Sequence, residues 1–169
     1  MRTLSSDFGG SEVIRFDNFA ASDEQKFDGF VLTGSNDHLS SATRPKYKNE
    51  IELLKHAKVP VLGICFGHQL LCSAYGSKVA RANKELNDYH PVKILKKDPL
   101  FNGFKKRIVV KEEHMDEVKT VPKNFFHICT SNICQVEAVK HKSRPLYGVQ
   151  FHPEINSESF PDGRNIILN

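Results

Sequence analysis

Cys65 stands between Gly63 and Gly67 in the run VPVLGICFGHQLL, where a strand-like apolar stretch meets a helix-like one. A thiol attacks carbon as its thiolate, and a sharp strand-to-helix turn favours that form. The apex side chain is lifted clear of the sheet, and flanking glycines let the backbone turn and pack closely. The apex also faces a helix N-terminus, whose free N–H groups and positive dipole end stabilise an anion. In such a place a thiol pKa falls from about 8.5 to roughly 3.5–7.5. The N–H of the next residue, Phe66, is placed to hold an oxyanion. The chemistry that suits all of this is attack on an acyl carbon. The same turn also suits a small thiol packed for shape alone.

A nucleophilic cysteine needs a base, and the base needs an orienting group. YGVQFHPEI, residues Tyr147 to Ile155, offers both. His152 follows an apolar strand, at the end where active-site groups gather in open α/β sheets. Glu154 lies two positions on, and in extended chain residues i and i+2 point to one side. Pro153 fixes its own φ and biases His152 toward extended geometry. His152 and Glu154 can therefore form a stiff imidazole–carboxylate pair. Taken alone, the segment also reads as an ordinary surface turn.

The elements that must carry these residues alternate. Ser11 to Phe16 (SEVIRF) is strand-like, and Asp28 to Gly34 (DGFVLTG) reads as a buried strand ending at glycine. Arg44 to Lys58 is amphipathic, with Tyr47, Ile51, Leu54 and Ala57 on one stripe and Pro45 suited to a first helical turn. Val59 to Ile64 is another buried strand, and Phe66 to Gly76 a short helix stopped by Gly76 at a C′ position. This spacing predicts βαβ units and a parallel sheet. In the second half HPVKIL, RIVVKE, FFHICT, QVEAVK and PLYGVQF are short strand candidates, which predict added antiparallel strands. No internal repeat, low-complexity tract or long linker interrupts the chain.

The 169 residues suit one compact domain, 39% hydrophobic and 26% charged. The net charge of +4 comes from scattered lysines, which read as solvated surface and exclude a nucleic-acid footprint. No apolar run approaches the roughly 20 residues of a membrane helix, and no secretory leader opens the chain. Cys65, Cys72, Cys129 and Cys134 form no C-x-x-C pair, so no zinc site is expected, and they read as reduced thiols in a cytoplasmic protein. No phosphate-binding loop of the G-x-x-x-x-G-K-[ST] kind is present.

GICFGHQLL together with YGVQFHPE resembles the class I glutamine amidotransferases, whose nucleophile elbow and His-x-Glu pair these are. The resemblance implies an α/β, three-layer, flavodoxin-like fold with a mostly parallel sheet, helices on both faces and antiparallel additions. It implies Cys65 as nucleophile, His152 as base and acid, and Glu154 as orienter, acting on L-glutamine. The family's Gly-Gly-Pro turn, a source of the second oxyanion donor, corresponds here to Gly34-Ser35-Asn36. Gly34 then joins Phe66 in the oxyanion hole, and Ser35 lies against the substrate. The missing second glycine and proline make the geometry of that hole a matter for the structure. Gln69 matches the family's glutamine-contacting residue.

The stretch VKEEHMDEVKTVPKNF, Val110 to Phe125, resembles the GMP synthetase branch, in particular its stand-alone archaeal-type glutaminase subunits. The segment reads as an acidic loop, and the resemblance implies that the backbone around Met115 and Asp116 helps hold the glutamine main chain while His114, Asp116 and Glu117 reach the partner. That partner is the ATP-pyrophosphatase subunit, which uses ATP and Mg2+ to convert XMP to GMP. No cofactor or metal is then expected in this chain. Rival readings are an amidotransferase subunit for anthranilate or aminodeoxychorismate synthesis, a cysteine hydrolase for other γ-glutamyl compounds, and a non-catalytic regulatory relic of the fold. Against the family pattern, only about ten residues precede the SEVIRF strand, and the 22 residues from Ser11 to Leu32 are too few for a helix, strand, helix and strand. The expectation is a single domain over 1–169, abbreviated at its first strand and closing helix, with MRTLSSDFGG as the tail of the first helix.

Overall fold

The computed structural model describes residues 10–39 and 44–169. Its strands are β1 (Phe30–Leu32), β2 (Val61–Ile64), β3 (Val79–Ile94), β4 (Arg107–Val118), β5 (Phe125–Thr130), β6 (Ala138–His141) and β7 (Leu146–Val149). Its helices are α1 (Lys48–His56), α2 (Phe66–Ala74) and α3 (Asp162–Leu168), with short 3-10 helices at Ala21–Lys26, Arg44–Tyr47 and Pro99–Phe101. The strands form one sheet in the order β1-β2-β7-β6-β5-β3-β4. β1, β2 and β7 run parallel, and β6, β5, β3 and β4 add antiparallel rungs beyond them. The parallel unit and its antiparallel additions are as the sequence predicts, but the sheet is mixed rather than mostly parallel: among the described residues two of its six strand pairings are parallel.

Side chains alternate along the central strands and so divide the core between two faces. Val61 and Leu146 pack with Leu53 and Leu54 of α1 and Leu70 and Leu71 of α2. Ile64 and Val149 point the other way, toward Val92, Ile108, Phe151 and Ile166 of α3. Helices therefore cover both faces. α2 is buried almost all round, from Phe66 to Ser73, because it is sandwiched between the sheet and α1. It ends as its sequence predicts. Gly76 takes φ +90°, its N–H bonds to Ser73 O, and Ser77 N–H reaches back to Cys72 O, a Schellman closure.

Three readings need correction. Ser11–Phe16 joins no strand; Ile14 packs on the core and Phe16 on the Tyr47 ring, while Val13 remains 70% exposed. Among the described residues β1 is an edge strand, with Val31 39% exposed, so DGFVLTG is half-buried. The acidic segment from Val110 to Val118 is strand β4. The expected helix tail over residues 1–9 lies outside the described residues. Among the described residues no helix is long and apolar enough to cross a membrane.

Candidate active site

Cys65 is the residue between β2 and α2, and it has φ 50° and ψ −103°. Among the described residues it is the one non-glycine residue with positive φ, a conformation that costs about 1–3 kcal/mol and persists only where the surroundings enforce it. The enforcement is visible. Cys65 N–H is tied to Val149 O of β7 at 2.8 Å, and Cys65 O accepts the first helical bond from Gln69 N–H at 3.0 Å. The flanking glycines supply room. A Cβ on Gly63 would lie 2.6 Å from the Gly67 backbone, and one on Gly67 only 2.2 Å from Leu32 O.

His152 follows β7, the neighbour of β2, so parallel pairing brings it beside the elbow. Its ring Nδ1–H donates to Glu154 Oε1 at 2.6 Å. Nε2 is left for the thiol. A Cβ built on Gly34 would lie 3.9 Å from both His152 Nε2 and Cys65 Cβ, which puts the three groups around one point. Burial opposes charge on His152, but the hydrogen bond to Cys65 and the Glu154 carboxylate outweigh it and raise its pKa to about 10. The ring is also held from behind, through His152 N–H to Lys111 O of β4 at 2.8 Å. Below it, a Cβ on Gly163 of α3 would meet Pro153 O at 2.4 Å, so the His-Pro-Glu segment rests directly on that helix.

The other predicted residues fall less simply. Gly34 and Ser35 form an exposed turn just after β1, at the mouth of the site. Gln69 is buried, and its side-chain N–H groups donate to Asp116 O at 2.7 Å and Gln150 Oε1 at 3.3 Å; it ties α2 to β4. Met115 and Asp116 lie on β4 at the rim, where Arg81 donates to the Met115 sulfur at 3.2 Å and His38 approaches Asp116 Oδ2 at 3.4 Å. His114 corrects the sequence reading. Its side chain is 1% exposed and faces inward, so it offers a partner no surface. Glu117 is half-buried and paired with Lys119. Cys72, about two helix turns beyond Cys65, is fully buried, and burial pushes its thiol pKa far up.

Sequence reasoning missed Gln150. It is fully buried, and its amide Nε2 donates toward Cys65 Sγ at 3.7 Å. The signal was present as an uncharged amide in the otherwise apolar run Val149-Gln150-Phe151. It also missed a buried acidic pair behind the site. Glu112 and Glu137 are both fully buried, with Ser131 donating to Glu137 Oε1 at 2.6 Å. His114 Nδ1–H donates to Asp116 O at 3.1 Å, which leaves Nε2 as a lone pair 3.0 Å from Glu112 Oε2. Ionised, Glu112 could accept only from the Glu137 carboxyl. Protonated, it also has a proton to offer His114 Nε2. Burial pushes the Glu112 pKa up to about 8, against the pull of its hydrogen bond with Glu137 and the charge of His152. Burial and the neighbouring Glu112 charge push Glu137 well above its usual value.

This pair has a consequence for stability. In the unfolded chain a glutamate ionises near pH 4.3, while Glu112 in the fold keeps its proton to about pH 8. The folded state then binds more protons than the unfolded state, so this group makes stability fall as pH rises across that window. Glu112→Gln removes the effect. Urea melts should find the variant nearly equal to the parent at pH 4 and more stable than it by several kcal/mol at pH 8. A variant less stable at pH 8 would mean that an ionised Glu112 supports the fold.

A family model described as class-I glutamine amidotransferase matches residues 6–167. The chain is 43% identical over 141 residues to a glutamine-hydrolysing GMP synthase subunit of Methanocaldococcus jannaschii, covering 83% of this chain and 71% of that protein. The protein of the same name from Methanothermobacter thermautotrophicus is 45% identical over 108 residues, covering 64% of this chain and 58% of that protein. Among solved structures, a candidate GMP synthase subunit from Thermoplasma acidophilum superposes with TM-score 0.76 at 29% identity, over 88% of this chain and 74% of that one. A glutamine amidotransferase from Thermotoga maritima gives TM-score 0.69 at 25% identity, over 78% of this chain and 58% of that one. With the elbow, the imidazole–carboxylate pair and the sheet order already in place, these matches mean that the chain belongs to the class-I glutamine amidotransferases.

Proposed function

We propose that this chain is the glutaminase subunit of a two-subunit GMP synthase, with Cys65, His152 and Glu154 as its catalytic residues. The observation that carries the reading is the division of the His152 ring. One nitrogen is held by Glu154 at 2.6 Å, and the other lies beside the strained elbow, it and Cys65 Cβ each 3.9 Å from a Cβ built on Gly34. The Cys65 thiolate attacks the side-chain amide carbon of glutamine. The N–H groups of Phe66 and Gly34 hold the tetrahedral oxyanion, each such donor contributing about 2.7–4 kcal/mol in a well-characterised hydrolase. His152, which keeps its proton firmly, delivers it to the leaving ammonia as the tetrahedral adduct collapses to a γ-glutamyl thioester. Neutral His152 then takes a proton from water, which attacks the thioester and releases glutamate and regenerated thiol.

The names of the archaeal relatives support the GMP branch, and the word subunit in those names supports a separate synthase partner. In the proposed complex ATP and Mg2+ act in that partner, an ATP-pyrophosphatase that activates XMP for attack by ammonia. All four cysteines are free, which fits the cytoplasmic location proposed for the complex. The test is reconstitution. With its ATP-pyrophosphatase partner and with ATP, Mg2+ and glutamine, the chain should support conversion of XMP to GMP. Amination of chorismate by a chorismate-binding partner instead would move it to another branch, and failure of a glutamine-like electrophile to label Cys65 would make it a relic.

A further inference from the structure

The turn that carries Gly34 lacks the second glycine and the proline of the family pattern, yet it is not left loose. Asp37 N–H donates to Ser35 Oγ at 3.1 Å, closing a small side-chain-capped turn. The Tyr47 hydroxyl donates to Asp37 Oδ2 at 2.5 Å, and Lys46 Nζ donates to the same oxygen at 2.7 Å. The proton of Tyr47 being committed to Asp37, the Ser35 hydroxyl is left to donate to Tyr47 Oη at 3.5 Å. Lys46 and then Tyr47 hold the Asp37 carboxyl below its ordinary pKa, so the acceptor stays ionised at neutral pH.

The same tyrosine reaches the other side of the oxyanion pocket. Its ring is 4% exposed and packs against the Phe66 ring, with centroids 4.7 Å apart and planes tilted by 54°. Phe16 covers its outer side at 5.4 Å. The two oxyanion donors come from separate elements, the turn after β1 and the first residue of α2. Their backbones already approach each other closely where Leu32 O meets Gly67. One side chain spans both: its ring bears on Phe66, and its hydroxyl binds the Gly34 turn through Asp37 and Ser35.

We propose that Tyr47 is a positioning residue for the oxyanion pocket, holding the Gly34 turn at a fixed distance from Phe66 in place of the absent glycine and proline. This rests on the glutaminase reading above. The pocket matters only when a carbonyl oxygen becomes an oxyanion, so the signature is selective. Tyr47→Phe keeps the ring and removes the hydroxyl. Assayed with the synthase partner, it should lower kcat for glutamine by about 10-fold, with KM changed less than about 2-fold. Inactivation by a chloroketone analogue of glutamine, whose carbonyl passes through an oxyanion, should slow in parallel. Alkylation of Cys65 by iodoacetamide, a displacement at saturated carbon, should proceed at the parental rate.

A Tyr47→Phe enzyme with kcat within about 2-fold of the parent overturns the proposal. So does a fall in iodoacetamide reactivity matching the fall in kcat, since that places the defect at the thiol. Asp37→Ala cuts the same link and leaves the aromatic packing untouched. It should reproduce the signature, and its failure to do so counts against the proposal even if Tyr47→Phe melts early. A parent chain that hydrolyses no glutamine beside its synthase partner fails at the earlier step, before any variant is compared, and takes the glutaminase reading with it.

Discussion

Cys65→Ala ends glutamine hydrolysis, with turnover lowered by at least about 10⁴-fold, because no other group at the elbow can form the thioester. The fold should survive. Alanine inherits the same strained φ of 50° and fills a site that is already 7% exposed, so the substitution removes one atom and adds no clash. The informative arm is ammonium. In the reconstituted complex, added ammonium chloride should restore GMP formation in the variant to the parental level, since the partner needs only ammonia. Residual glutamine-dependent turnover above about one part in a thousand would show that Cys65 is not the nucleophile. Loss of the ammonium-dependent rate as well would show that the variant no longer folds or docks.

Gly67→Ala should produce the largest loss of stability from a single methyl group. Its Cβ would sit 2.2 Å from Leu32 O and 2.9 Å from Leu32 C and Cβ. Two of these are backbone atoms of β1, which cannot rotate aside, so α2 or β1 must move. Overpacking of this kind costs about 3 kcal/mol or more, and for a chain of this length that lowers Tm by about 6–12 °C. Gly76, at the other end of the same helix, is the internal comparison. A Cβ there meets nothing within 4 Å, and only its φ of +90° opposes the change. Gly76→Ala should cost about 1 kcal/mol. Thermal melts of the two variants separate close approach from backbone conformation, and equal losses would refute the packing argument.

The elbow was legible because its requirements are local. Two glycines at fixed offsets from a cysteine encode both the turn and the contact with β1, and Gly76 encodes the end of the helix. The imidazole–carboxylate pair was legible for the same reason, since three consecutive residues set its geometry. β4 was not. Its inward positions from Val110 to Val118 include Glu112, His114 and Asp116, all buried, while Lys111, Glu113, Met115 and Glu117 alternate outward. The period of two is intact, but the inner face is polar and paired with groups distant in sequence, among them Glu137 and Gln69. Hydropathy therefore read a solvated loop where the fold has a strand. β3 was hidden differently. Only its last residues were read as a strand, because its pairing with β4 as a long hairpin sustains a run of polar residues that has no apolar face of its own. Gln150 and Tyr47 act across gaps of 85 and 12 residues, on Cys65 and Ser35, and no local pattern announces such pairs.

The sheet order sets how the site comes apart. Cys65 and His152 leave the ends of β2 and β7, adjacent strands inside the sheet, where opening free energies approach that of global unfolding. Gly34 leaves β1, a strand of only three residues and the outermost on its side among the described residues. Local opening of β1 therefore requires far less free energy than separating thiol from imidazole. An open β1 is a molecule whose cysteine is still paired and still reactive toward alkylating agents, yet which cannot stabilise an acyl transition state. Glutaminase activity thus samples the fraying of an edge, and thiol chemistry samples the integrity of the centre.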